Sequence, residues 1–286
     1  MNTIKLKNML VQFFNEDIGD GDLSSETIFN ASELGSFTFY AKQSGIFCGK
    51  QIIEIGFPLL DNSLQVRVFK QDGEWIEKGE QIAIIEGPLR SLLTGERVIL
   101  NCIQRMSGIA TQAHEAVKLT AGTNAHVCDT RKTIPGLRML DKYAVRAGGA
   151  FNHRSGLYDA IMLKDNHIAF AGSITKAVES ARSKIGHTVK IEVEIETKEQ
   201  LIEAVNAGAD IIMFDNRTPE EIREWLSLVP PHIATEASGG ITLENLRSYA
   251  ESGIQWISLG SLTHSVIAFD ISALVQPKGA VTSGTC

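Results

Sequence analysis

Nowhere does the chain run to the ~18–20 consecutive apolar residues that a bilayer-spanning helix needs. Its best candidates, such as Gln81 to Ile85, are strand-sized and meet a charge at Glu86. A soluble protein is therefore expected. Cysteine is scarce: the four, at positions 48, 102, 128 and 286, form no C-x-x-C pair and have no histidine at metal spacing. That argues against a disulfide framework or a zinc site and for a reducing cytoplasm. A signal peptide is also missing from the reading. Lys5 and Lys7 precede an apolar stretch, Met9 to Phe14, that Gln12 interrupts and Asn15, Glu16 and Asp17 follow without a small-residue cleavage site. Positive charge is in deficit, 27 Lys and Arg against 34 Asp and Glu for a net −7, so no overall basic field exists for nucleic acid or an anionic membrane. With 43% hydrophobic and 21% charged residues, global disorder is excluded as well.

What is present is a chain of 286 residues, enough for two domains or one barrel with an attachment. Between Ser36 and Glu86, strand-like segments at Phe37 to Ala41, Leu64 to Phe69 and Gln81 to Ile85 are separated by glycine-containing turns. Gln71 to Glu80 has the look of a lipoyl or biotinyl carrier turn without the lysine-bearing hairpin, and reads as a structural turn. Leu92 to Ala116 reads as one long helix. From Ala125 onward, short apolar runs at 126–128, 160–163, 189–195, 210–214, 233–235 and 256–259 alternate with amphipathic helices, the pattern of βα units around parallel strands. Thr197 with Gln200 and Thr218-Pro219 with Glu221 fit capping boxes, and Gly208 and Gly253 fit helix ends. A phrase of helix, small residues with glycine, then strand occurs at Ala204 to Asp215 and again at Tyr249 to Gly260, which favours a barrel. Pro277 to Cys286 is small and polar and is expected to be a mobile tail.

A βα barrel carries its site at the C-terminal ends of the strands, so the residues following each apolar run are the candidates. They are Asp129 to Thr133, Lys164 to His167, Glu192, Glu194 and Glu196, Asp215-Asn216, Glu236 to Gly240, and Gly260-Ser261. From Asp129 to His167 there are seven Lys or Arg against four Asp, plus His153 and His167, a local inversion of the net charge. Arg138, Lys142 and Arg146, four apart along an expected helix, read as ordinary solvated charges. Arg131, Lys132, Arg154 and Lys164 follow strands or sit in the loop Gly148 to Arg154, and suit a small polyanionic substrate. Ser238-Gly239-Gly240 and Leu259-Gly260-Ser261, at the last two strand ends, suit a phosphate. Glu192, Glu194 and Glu196 alternate along one strand face, where like charges repel. At least one should meet a cation, a metal or a sugar hydroxyl, and Asp215 could share Mg²⁺ with them through oxygen ligands and water. The structural alternative pairs Glu192 and Asp215 with Lys190 or Arg217. Cys128 reads as a buried strand cysteine, with thiol sensitivity as its alternative.

Taken in order, Asp129-Thr130-Arg131-Lys132-Thr133-Ile134-Pro135-Gly136, Asn152-His153-Arg154-Ser155-Gly156-Leu157, Leu163-Lys164-Asp165-Asn166-His167, Glu192-Val193-Glu194, Ile212-Met213-Phe214-Asp215-Asn216 and Leu262-Thr263-His264-Ser265 resemble the quinolinate phosphoribosyltransferase family. Glu16 to Leu23, Gly95-Glu96-Arg97 and Ser107 to Thr111 extend the likeness over nearly the whole chain. It implies an N-terminal α/β sandwich, residues 1–112 completed by 268–286, and an incomplete, open α/β barrel over 113–267. It also implies a homodimer with shared active sites, the hexamer being the larger alternative. The implied activity moves the phosphoribosyl group of 5-phosphoribosyl 1-diphosphate onto quinolinate, with loss of CO₂. On that pattern Arg97 enters the partner's site, while Thr130, Arg131, His153, Arg154 and Lys164 hold quinolinate. Lys132 lies toward the diphosphate, Glu194 and Asp215 face ribose and Mg²⁺, and Ser238, Gly239, Gly240, Leu259, Gly260 and Ser261 hold the 5-phosphate. The loop Gly148-Gly149-Ala150-Phe151 lacks a glycine common in the family, and Phe214 replaces a usual leucine. A paralogue using nicotinate, one associated with molybdate transport, or a ligand sensor remain the alternatives at this stage.

Overall fold

The computed structural model describes residues 1–275; the expected tail Pro277 to Cys286, Cys286 included, lies outside them. Two compact units form, one from Met1–Thr111 with the segment from Val266 onward, the other from Gln112–Ser265. In chain order the first unit contains α1 (Thr3–Ile18), α2 (Leu23–Ile28), β1 (Leu34–Ala41), β2 (Gly45–Ile46), α3 (Lys50–Leu60), β3 (Gln65–Val68), β4 (Trp75–Ile76) and β5 (Gln81–Pro88). Helix α4 (Leu89–Leu119) contains the division between the units. The second unit has β6 (His126–Cys128), α5 (Arg138–Ala147), β7 (Ile161–Leu163), α6 (Asp165–Ala171), α7 (Ile174–Arg182), β8 (Ile191–Ile195) and α8 (Lys198–Asn206). It continues through β9 (Ile211–Asp215), α9 (Pro219–Trp225), β10 (Ala234–Ser238), α10 (Leu246–Ala250), β11 (Trp256–Ser258) and α11 (Ser261–His264). Strand β12 (Ile271–Val275) then returns to the first unit.

The first unit is built on an antiparallel sheet in the order β12-β1-β5-β3. Phe37 and Phe39, two apart on β1, project to the same side of the pleat and stack at 5.1 Å between ring centroids. Phe57 of α3 closes on Phe37 at 5.7 Å. Helix α1 buries Leu6, Leu10 and Phe14, one stripe at four-residue spacing, and starts where the Asn2 side chain accepts the Lys5 N–H. The carrier-like segment is structural: β4 pairs with β2, and Lys70 holds Glu74 and Glu80, each at 3.1 Å.

In the second unit all six strands are parallel, in the order β6-β11-β10-β9-β8-β7. The sheet curls as a barrel left open between β6 and β7, where one bridge, Cys128 to Phe151, stands among the described residues. Ile191, Val193 and Ile195 are fully buried on one side of β8, so Glu192 and Glu194 share the other, as period-two alternation requires. Both expected capping boxes close, Thr197 with Gln200 and Thr218 with Glu221, the latter with Pro219 in the first turn. Phe214 is buried and tilts onto Trp225 at 6.4 Å, a packing role. These short βα turns leave the C-terminal strand ends as the place where polar side chains gather.

Candidate active site

A cavity of about 540 Å³ opens at those strand ends, lined by Thr130, Arg131, Lys132, His153, Arg154, Met162, Lys164, Glu194, Met213, Asp215, Asn216, Ser238, Gly239, Gly240 and Ser258. Eleven of the site positions read from the sequence, from Thr130 to Gly240, therefore meet in one place. The remaining four do not line it. Arg97, on α4 in the first unit, lines a different cavity with Asp17, Asp22 and Thr94. The Leu259 side chain is fully buried and its N–H donates to the Cys128 carbonyl at 2.9 Å. Gly260 and Ser261 also lie outside the lining, and a Cβ on Gly260 would stand 3.2 Å from Lys132 Cδ.

The cationic wall is held from behind. Asp129, at the end of β6, is fully buried; it takes Lys142 Nζ at 2.5 Å, Asn152 Nδ2 at 2.7 Å and the His153 N–H at 2.9 Å. Burial pushes its carboxyl up, against the pull of Lys142 and these donors. Lys142 is thus not a solvated helix charge, as its spacing suggested, but a 5%-exposed partner of Asp129. The network pins the Gly148–Arg154 loop to α5 and β6. Arg131 and Arg154 both line the cavity, and burial, followed by the Arg131 charge, lowers the Arg154 guanidinium from its ordinary value. Arg131 Nε is buried with no hydrogen-bond partner among the described residues. An orphaned guanidinium donor in a cavity that holds a second arginine is what an incoming carboxylate would satisfy.

The three glutamates of β8 divide. Glu192 is 1% exposed and lies 3.1 Å from His153 Nε2; Glu194 forms an ion pair with Lys164 inside the cavity; Glu196 is exposed. The alternative pairing of Glu192 and Asp215 with Lys190 and Arg217 is overturned. Lys190 goes to Asp210 at 3.4 Å, and Arg217 reaches Glu221 and only the main-chain oxygen of Asp215. Asp215 is held at 2.7 Å by Asn216 Nδ2, and burial with the Glu194 charge raises its carboxyl. Asn216 has φ 53, unusual for a side-chain-bearing residue. Opposite it, Gly239 at φ +87 leaves room that a Cβ would close, 2.8 Å from the Asn216 nitrogen. Cys128 is buried, its thiol pushed well up by burial, which disposes of a reactive-thiol role. Glu236 was among the strand-end residues but drew no role, and Ser258 none; they prove to be in contact, Ser258 Oγ donating to Glu236 Oε1.

Parallel strands ending in two arginines, two lysines, a pair of acids and a Ser-Gly-Gly turn define a barrel enzyme for a small, multiply anionic substrate. The comparisons make this particular. Residues 22–107 match the N-terminal domain model, and 109–273 the C-terminal domain model, of quinolinate phosphoribosyl transferase; the chain belongs to that family. It is 57% identical over 272 residues to the "probable nicotinate-nucleotide pyrophosphorylase [carboxylating]" of Bacillus subtilis strain 168, covering 95% of this chain and 94% of that one. The human nicotinate-nucleotide pyrophosphorylase [carboxylating] is 40% identical, over 84% of this chain and 82% of its own. The crystal structure of NadC from Streptococcus pyogenes superposes with a TM-score of 0.92 at 36% identity, covering 97% of this chain and 99% of that one.

Proposed function

We propose that this chain transfers the 5-phosphoribosyl group from 5-phosphoribosyl 1-diphosphate to quinolinate, releasing diphosphate and CO₂ and forming nicotinate mononucleotide. The observation that carries the reading is that Arg131, Arg154 and Lys164 line one cavity, with the Nε of Arg131 buried and without a hydrogen-bond partner among the described residues. One carboxylate needs one such clamp; two carboxylates on one ring need the set.

Chemistry follows from placement. Arg131, Arg154 and Lys164 hold the ring so that its nitrogen approaches the anomeric carbon, which replaces a bimolecular encounter by a fixed approach. Lys132 stands where it offsets charge growing on the departing diphosphate. Glu194 and Asp215 face the ribose, and Ser238, Gly239 and Gly240 receive the 5-phosphate on backbone N–H groups. The pair Glu194 and Asp215 fits a divalent cation: Asp215 is raised by burial and its neighbour's charge, and an oxygen-ligated ion with water would relieve both. Mg²⁺, when bound, supplies charge neutralisation for the diphosphate. With the nitrogen bonded to ribose and therefore positive, the C2–carboxylate bond breaks, its electron pair staying on C2 to take up a proton.

The same reading makes the active unit a homodimer, Arg97 of one chain completing the pocket of the other. It places the protein in the cytoplasm, in keeping with buried, free Cys48, Cys102 and Cys128. Among the described residues no helix is long and apolar enough to cross a membrane. The test is product formation from quinolinate, 5-phosphoribosyl 1-diphosphate and Mg²⁺, with nicotinate as control substrate. Equal amounts of nicotinate mononucleotide, CO₂ and diphosphate are expected. Turnover of nicotinate alone would overturn the two-carboxylate assignment.

A further inference from the structure

His153 lines the cavity, yet each of its polar groups is spoken for by the protein. Its N–H donates to Asp129 Oδ1 at 2.9 Å and its carbonyl accepts Lys142 Nζ at 2.8 Å. Nδ1 accepts the N–H of Arg154 at 2.8 Å. Nε2 lies 3.1 Å from Glu192 Oε2 and 3.5 Å from Glu236 Oε2. A ring nitrogen that accepts a backbone N–H carries no proton, so the proton of the imidazole is on Nε2, directed at the two carboxylates. His153, Glu192 and Glu236 could otherwise pass for a metal cage, since their ligand atoms lie within 4.8 Å of one another. A protonated Nε2 is not a metal ligand, and the Arg154 N–H on Nδ1 is the contact that decides.

We propose that Glu192 and Glu236 are positioning residues: they clamp the His153 imidazole across the barrel interior, and its Nδ1 in turn fixes the main chain of Arg154 for binding the substrate's carboxylates. The inference rests on the quinolinate reading of this site. Glu192 comes from β8 and Glu236 from β10. Glu236 is further anchored by Ser258, whose Oγ lies 3.3 Å from Cys128 Sγ, so four strands hold one ring. The clamp has work to do, because Arg154 and Arg131 line one cavity and like charges repel unless the backbone beneath them is held. Past that backbone, the Arg154 side chain is steadied by the Ala160 carbonyl at 3.0 Å. Burial acts to lower the His153 imidazole, and Glu192 and Glu236 outweigh it to leave it raised; the Arg154 N–H on Nδ1 opposes the second proton.

Assay of the unaltered enzyme with quinolinate tests the underlying reading separately from the clamp. Glu192→Gln and Glu236→Gln are each expected to raise the quinolinate KM about tenfold, the value of a weakened charged hydrogen bond. The KM for 5-phosphoribosyl 1-diphosphate should stay within about twofold. His153→Asn, whose side-chain oxygen takes the place of Nδ1, should recover much of the quinolinate affinity lost in His153→Ala. In ¹⁵N-histidine spectra of the unaltered enzyme, the resonance missing from His153→Asn should show a neutral ring protonated on Nε2, free and with quinolinate present. That spectrum stands even where a glutamine variant does not fold. An unchanged quinolinate KM in both glutamine variants, equal affinities for the Asn and Ala variants, or a doubly protonated ring would each overturn the clamp.

Discussion

Arg131 makes a sharp demand, since a buried donor without a partner among the described residues costs about 1–3 kcal/mol until a ligand arrives. Arg131→Ala should raise the quinolinate KM and lower turnover, for a loss of about 100-fold in kcat/KM. Arg131→Lys should recover little, because a point charge does not replace a planar fork; full recovery by lysine in steady-state kinetics would contradict the bidentate role. Glu236 provides a test in pH. Burial, with Glu192 beside it, pushes this carboxyl from 4.5 up to about 7. Between those values the folded chain keeps a proton that the unfolded chain has lost, so stability falls as pH rises from about 4.5 to 7 and levels off above. In Glu236→Gln that contribution disappears, leaving a gain of roughly 2–3 kcal/mol at pH 8 over pH 5 relative to the parent. Parallel urea-unfolding profiles for the two proteins would remove the assignment. Arg131, Lys132, Arg154 and Lys164 were readable in the sequence because each follows a strand or sits in a glycine-rich loop. Lys142 read as a solvated charge and Glu236 as a strand end without a role, since what distinguishes them is burial beside partners far away in the chain.

Among the elements, the β10 turn joins two features: Gly239 at positive φ and Asn216, itself at φ 53, packed against it. A backbone shape of this kind persists only where its surroundings enforce it. Gly239→Ala should push Asn216 away and raise the KM for 5-phosphoribosyl 1-diphosphate by tenfold or more, about 1.4 kcal/mol, with quinolinate affinity nearly kept. A larger effect on quinolinate would move the phosphate site elsewhere. The strands themselves were legible to within a few residues, as apolar runs between capped helices. The environment of Leu259 was not legible: after β11 the parallel ladder to β6 continues one residue further and takes its N–H.

For the whole molecule, a shared active site has an arithmetic signature. On the proposed homodimer, Arg97→Ala and Lys164→Ala should each be nearly inactive, yet mixed subunits should regain about one quarter of full activity, since half the dimers would be hybrid with one intact pocket of two. A mixture as inactive as its parents would mean that each chain uses its own Arg97 or none. The path of the chain has a further consequence, one for biosynthesis. Strand β12 pairs with β1 along Phe37 to Ala41, although it leaves the ribosome after every barrel strand. At ~5–20 residues per second, the interval from Pro88 to Ile271 lasts roughly ten to forty seconds. Through that interval the nascent sheet holds β1 by β5 alone and offers its other edge, an aromatic-rich one, to any strand that passes. Covering that edge is therefore a task for whatever attends the emerging polypeptide, and slow decoding within the barrel would prolong it.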